Sequence, residues 1–149
     1  MTNRHNMGFT LIEVMIAVAI VAIVAAVALP MYTEQIIKTR RSDAKASLSE
    51  LAQRQEIFFS DNNQYAASLT ALNAERFGFT ENKYSKEGYY TISIALLNGG
   101  RGFVMTATPD GDQAKRERDS GRCYAFTLDH LGRKGIDGAG ANANPDDCW

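Results

Sequence analysis

The sequence predicts an α+β protein in which one long N-terminal helix is followed by a small antiparallel sheet. Three observations predict it. Every residue from Val14 to Leu29 is apolar. Residues 32–59 then carry an amphipathic helical pattern, and three stretches of the second half alternate apolar and polar residues with a period of two. At 149 residues the chain has room for one domain plus extras. Many of its apolar residues fall in the first 32 positions, which leaves a modest core for the remainder. A formal net charge of −1 supplies no overall field toward nucleic acid or anionic lipid.

The first part of the helix has membrane dimensions. Phe9 to Tyr32 reaches the length of about 20 apolar residues that a bilayer crossing needs. The preceding "MTNRHNMG" is short, polar and basic through Arg4 and His5, so the N terminus is expected to stay cytoplasmic and the bulk to be exported. The run exceeds the apolar core of about 7–15 residues of a cleaved signal peptide. It continues through "ALPMYTEQIIKTRR" in a helical pattern instead of ending. A plain signal anchor accounts for the length and the flanks but not for Glu13. A carboxylate at the bilayer centre costs about 2.5–3.5 kcal/mol; near the end it costs less, yet it still calls for a partner. Ala22 and Ala26, spaced by four, allow close approach of another helix. Pro30 removes a backbone hydrogen bond and is expected to mark a helix break in the form of a kink or local loosening.

Beyond the membrane segment, Ile37, Ala44, Leu48, Leu51, Phe58 and Phe59 fall near one helical face, with Gln55 interrupting it. Lys38, Arg40, Arg41, Asp43, Lys45, Glu50 and Glu56 are expected on the other, solvated faces. "SDNNQY" supplies stop and turn residues, so one helix is expected from about residue 10 to 60. After a loop over 61–87, strands are expected at Tyr89–Leu97, Gly102–Pro109 and about Arg122–Asp129, the first two joined by an "NGGR" turn. The intervening "QAKRERDSGR" reads as a polar loop between strands, and the Gly-, Ala- and Asn-rich tail "IDGAGANANPDDCW" as irregular.

Cys123 and Cys148 are the two cysteines, without the short paired spacing of a zinc site. They are either buried free thiols or one disulfide, and the export signal favours the disulfide, whose closed loop adds about 3 kcal/mol. His5 and His130 are the two histidines, and no Ser/His/Asp, Cys/His or phosphate-loop constellation is present. Asp110, Asp112, Asp137, Asp146 and Asp147 match no calcium-loop spacing and are read as turn and solvating residues. No catalytic residue, cofactor or metal site is expected. Lys115, Arg116, Arg118 and Arg122 form a local basic run, broken by Glu117 and Asp119, that can meet phosphates in a salt-sensitive way.

"GFTLIEVMIAVAIVAIVAAVALPMY" resembles the class III signal of type IV prepilins. The resemblance implies cleavage between Gly8 and Phe9 by a prepilin peptidase, N-methylation of Phe9, and an assembly role for Glu13, fifth from the new terminus. Met7 departs from the Lys or Arg that many prepilins have before the glycine. "RRSDAKASLSELAQRQEIFFSDNNQYAASL", "TATPDGDQ", "CYAFTLDHLGRKG" and the terminal "CW" are similar to minor pilins of the PilE kind, so the resemblance covers essentially the whole chain. It implies the type IV pilin fold: leader 1–8, transmembrane and polymerisation helix 9–32, amphipathic half 33–60, and a head over 61–149 closed by a C-terminal disulfide loop. It further implies a non-enzymatic minor pilus subunit that supports pilus biogenesis, twitching motility, adhesion or DNA uptake. Its partners would be other pilins, the peptidase/N-methyltransferase and the inner-membrane assembly machinery. Its location would be the inner membrane and then an extracellular fibre of a Gram-negative-type bacterium. The alternatives are a DNA-receptor pilin of competence, a type II secretion pseudopilin and a signal-anchored exported binding protein that never polymerises.

Overall fold

A computed structural model describes residues 9–79, 83–120, 123–137 and 145–149. Helix α1 spans Leu11–Asn62. It starts on a reciprocal cap: the Glu13 amide donates to the Thr10 hydroxyl, and the Thr10 amide and hydroxyl donate to the Glu13 carboxylate, each at 3.4 Å. That is the pattern of a capping box, Thr-x-x-Glu, which satisfies donors that a helix start leaves free. The helix continues through Pro30. Strong apolar helix formers flank the proline, and the Thr33 hydroxyl donates to its carbonyl at 2.8 Å.

The chain divides into two compact units, residues 1–36 and Ile37–Trp149. In the first, the described side chains of the apolar stretch are exposed almost throughout, and α1 is long and apolar enough there to cross a membrane.

The second unit is the head. Its sheet has four strands, β1 Tyr90–Leu97, β2 Gly102–Pro109, β3 Ala125–Asp129 and β4 Lys134–Asp137, in sequential antiparallel order. The fourth strand corrects the expected three; at four residues it is too short to show alternation. Register pairs such as Ile92 with Ala107, Met105 with Leu128 and Phe126 with Ile136 place like-facing residues side by side. Ala44, Leu48 and Leu51 of α1 form one core cluster with Tyr90, Ile92, Phe103, Met105, Ala107, Phe126 and Leu128 of the sheet. The loop after α1 closes the core with Tyr65, Leu69, Leu72 and Phe79.

Two further expectations are corrected. The supposed polar loop folds as helix α2, Gly111–Ser120. The tail is not uniformly irregular: β4 takes its start, and a short helical turn, α3 Pro145–Cys148, ends it. Cys123 and Cys148 are joined by a disulfide. Trp149, beside it, stacks edge-on against Phe126 and donates from Nε1 to the Gly135 carbonyl at 2.8 Å.

Candidate functional site

The basic run lies on α2, and the helix sorts its charges by face. Gln113, Ala114 and Glu117 are buried, whereas Lys115 and Arg118 are exposed. Residues i and i+4 share a helical face, so Gln113 and Glu117 dock together. Glu117 is 1% exposed and receives a two-pronged contact from Arg41 of α1, Nε to Oε1 at 2.8 Å and Nη2 to Oε2 at 2.6 Å. Paired parallel bonds of this kind are among the stronger charge-assisted contacts. The Tyr90 hydroxyl of β1 donates to Glu117 Oε1 at 3.2 Å, and Gln113 Nε2 donates to Glu117 Oε1 at 2.9 Å. Gln113 Nε2 also lies 3.2 Å from the Tyr90 oxygen as a donor. Burial raises the Tyr90 phenol far above its ordinary value, and the adjacent Glu117 carboxylate adds to the rise. The phenol therefore stays a neutral donor.

On the outer side, Arg116 is spoken for. It pairs with Asp112 one turn back at 2.8 Å, and Asp112 also meets Arg40 at 3.6 Å. The Arg116 contact holds the Asp112 carboxyl below its usual range. Arg40 in turn lies over the Tyr89 ring, 4.5 Å from its centre. The cations that α2 presents without an acidic partner are thus Lys115 and Arg118 among the described residues. Arg122, the fourth member of the expected run, lies outside the described residues.

Arg41 and Asp43 correct the expectation of solvated faces, because both are buried. Asp43 accepts from the Ser85 hydroxyl at 2.5 Å and from the Glu87 amide at 3.2 Å, which ties the turn before β1 to α1. Gln55, which interrupts the apolar face in sequence, is fully buried and mimics a strand pairing. It accepts from the Ala66 amide at 2.8 Å and donates to the Ala66 carbonyl at 2.9 Å. His130 sits beside the Phe103 and Tyr65 rings, and its imidazole fills the space above Gly102 that a Cβ would need. Among the described residues no group of three or more His, Cys, Asp or Glu is arranged to hold a metal ion.

At the start of α1, Phe9 is exposed and Glu13 is engaged by Thr10; Gly8 lies outside the described residues. An apolar helix of membrane length leading into a disulfide-closed α+β head defines a pilin-type subunit. Residues 30–127 match a family model described as type IV minor pilin ComP, DNA uptake sequence receptor. Residues 3–29 match the prokaryotic N-terminal methylation motif. The chain belongs to the type IV pilin family, within this group of minor pilins, whose members are structural and not enzymatic.

Relatives include the type IV major pilin protein PilA of Myxococcus xanthus, 38% identical over 93 residues, which are 62% of this chain and 40% of that protein. The fimbrial protein EcpC of Eikenella corrodens is 31% identical over 72% of this chain and 65% of its own length. The type IV major pilin protein PilE of Neisseria gonorrhoeae is 30% identical over 77% of this chain and 63% of its own length. The alignments thus span 40% to 65% of these relatives. A type IV pilin structure from Shewanella oneidensis aligns over 76% of this chain and 97% of its own, with 26% identity and a TM-score of 0.49.

Proposed function

We propose that this chain is a minor subunit of a type IV pilus whose head binds duplex DNA during uptake. The match of residues 30–127 to the family described as a DNA uptake sequence receptor carries this reading. It favours the DNA receptor over a purely architectural minor subunit. The disposition of α2 supports it, since Asp112 and Glu117 are paired with arginines within the protein while Lys115 and Arg118 are exposed. Phosphates of a duplex are the natural counterpart of such exposed cations.

In the same reading, the prepilin peptidase cuts between Gly8 and Phe9 and Phe9 is N-methylated, consistent with the methylation-motif match over residues 3–29. The chain sits N-in/C-out in the inner membrane of a Gram-negative-type bacterium, is extracted by the assembly machinery, and joins other pilins in the fibre. Glu13 neutralises the amine of a neighbouring Phe9. Buried charges that find such partners are tolerated, and unpaired ones are not.

The test is fluorescence anisotropy of a labelled duplex of about 20 base pairs with the full chain in nonionic detergent, across a salt series. Binding should weaken log-linearly with salt. Lys115→Ala/Arg118→Ala should cut affinity by about tenfold or more and reduce the salt slope by about 2. Wild-type affinity and slope in that variant would sink the proposed DNA surface.

A further inference from the structure

Helix α2 has little reason to stay on the head except through charge. Its sequence "GDQAKRERDS" is polar throughout, and Ala114 is its one buried apolar side chain. A helix of ten residues is marginal on its own in water. Its other buried side chains among the described residues are Gln113 and Glu117, each 1% exposed. They are gripped from two directions, by Arg41 from α1 and by Tyr90 from β1. Two elements and a two-pronged arginine fix both the position of α2 and its rotation about its own axis. With Glu117 pointing inward, Lys115 and Arg118, two residues before it and one after, lie on the outward sides.

We propose that Glu117 is the positioning residue of the DNA-binding helix, its buried carboxylate holding α2 against Arg41 and Tyr90 so that Lys115 and Arg118 stand out toward a phosphate backbone. This rests on the DNA-binding function proposed above. It makes a prediction whose sign is opposite to that of simple electrostatics. The three cations of α2 are matched by three acids, so removing one acid makes the helix net positive, and Coulomb attraction alone predicts tighter DNA binding by a Glu117 variant. Positioning predicts weaker binding, because α2 loses the buried carboxylate that anchors it to Arg41.

The experiment uses the full chain in nonionic detergent, a labelled duplex, and hydrogen exchange of the α2 amides as a readout independent of DNA. Glu117→Gln should lose about tenfold in affinity, the scale of misaligning two phosphate contacts, and α2 should exchange faster while β2 keeps its protection. Tyr90→Phe preserves the core volume and removes one hydroxyl from the cluster. It should show the same two changes at smaller size, about two- to threefold in affinity. Lys115→Ala/Arg118→Ala should lose affinity with α2 exchange unchanged. A folded Glu117→Gln protein that binds as well as wild type, or better, overturns the positioning role. If Glu117→Gln does not fold, wild-type affinity and exchange in Tyr90→Phe overturn it instead. Failure of the underlying function looks different: the Lys115/Arg118 variant itself then binds DNA like wild type, and the proposal falls with it.

Discussion

The disulfide offers the most direct quantitative test of how the head is held together. Cys123 and Cys148 are 25 residues apart in sequence. The closed segment contains β3, β4 and α3, so most of its order is lost on unfolding. For a loop of that length the chain-entropy relation gives about 3.5 kcal/mol of stabilisation, acting through the unfolded chain. Cys123→Ala/Cys148→Ala should therefore lower stability by about that amount. With a urea slope of about 1.5–2 kcal/mol/M, the midpoint should fall by about 2 M. The full chain in nonionic detergent, followed by circular dichroism and by the emission of its single tryptophan, Trp149, gives two probes. In native buffer the emission should stay blue-shifted, because the indole keeps its contacts with Phe126 and the Gly135 carbonyl. Wild type unfolded in the presence of a thiol reductant should match the double variant. A loss below about 1 kcal/mol would refute the assignment of the effect to the unfolded chain.

Three other outcomes follow from named contacts. Gln55→Leu should destabilise the head by about 2–5 kcal/mol in urea unfolding, because the buried amide and carbonyl of Ala66 both lose their partner; a change under about 1 kcal/mol would contradict this. Asp129 is partly desolvated, which pushes its carboxyl up, but the Arg133 amide and guanidinium and the Leu131 amide outweigh this and hold it below its usual value of 3.8. Its folded-state value is thus depressed, so its stabilisation is full above about pH 4 and is lost as pH falls through the folded value. The gap in urea midpoint between wild type and Asp129→Asn should be constant from about pH 7 to 5 and close below about 3.8; a gap that persists in acid would be inconsistent with that origin. Glu13→Ala removes a charge that costs up to about 2.5–3.5 kcal/mol in the bilayer. It should insert normally but appear in sheared fibres at about a tenth or less of the wild-type amount, a loss of the size expected for a missing buried ion pair; wild-type amounts on immunoblots would defeat the assembly role.

Much of this fold is written in apolar periodicity, and what was missed is what periodicity does not encode. The face carrying Ala44, Leu48 and Leu51 is the one buried, and the alternation of Phe103, Met105 and Ala107 marks the inner side of β2. "RRSDAK" reads as solvated because arginine and aspartate usually are. What buries Arg41 and Asp43 is a partner arriving from far along the chain, Glu117 at a separation of 76 and Ser85 at 42. No local pattern announces such pairs. The cap at Thr10 and Glu13 is legible in the sequence as Thr-x-x-Glu.

Helix α2 shows most clearly where the apolar code fails and another was available. Its docking face is Gln113, Ala114 and Glu117, so an apolar moment could not reveal it. Intrinsic propensity could have: Gln, Ala, Lys, Arg and Glu follow one another, and Asp112 precedes Arg116 by four. Glu117, an acid that interrupts the basic run in sequence, is what fixes the helix that carries it. Asp112 pairs with Arg116 and Arg40 at the surface, whereas Glu117, paired with Arg41, withdraws its charge from the outer face. Counting charges along "QAKRERDSGR" gives a diluted basic run. Counting them by helical face separates the exposed Lys115 and Arg118 from the buried Glu117, and makes the buried acid a condition of their display.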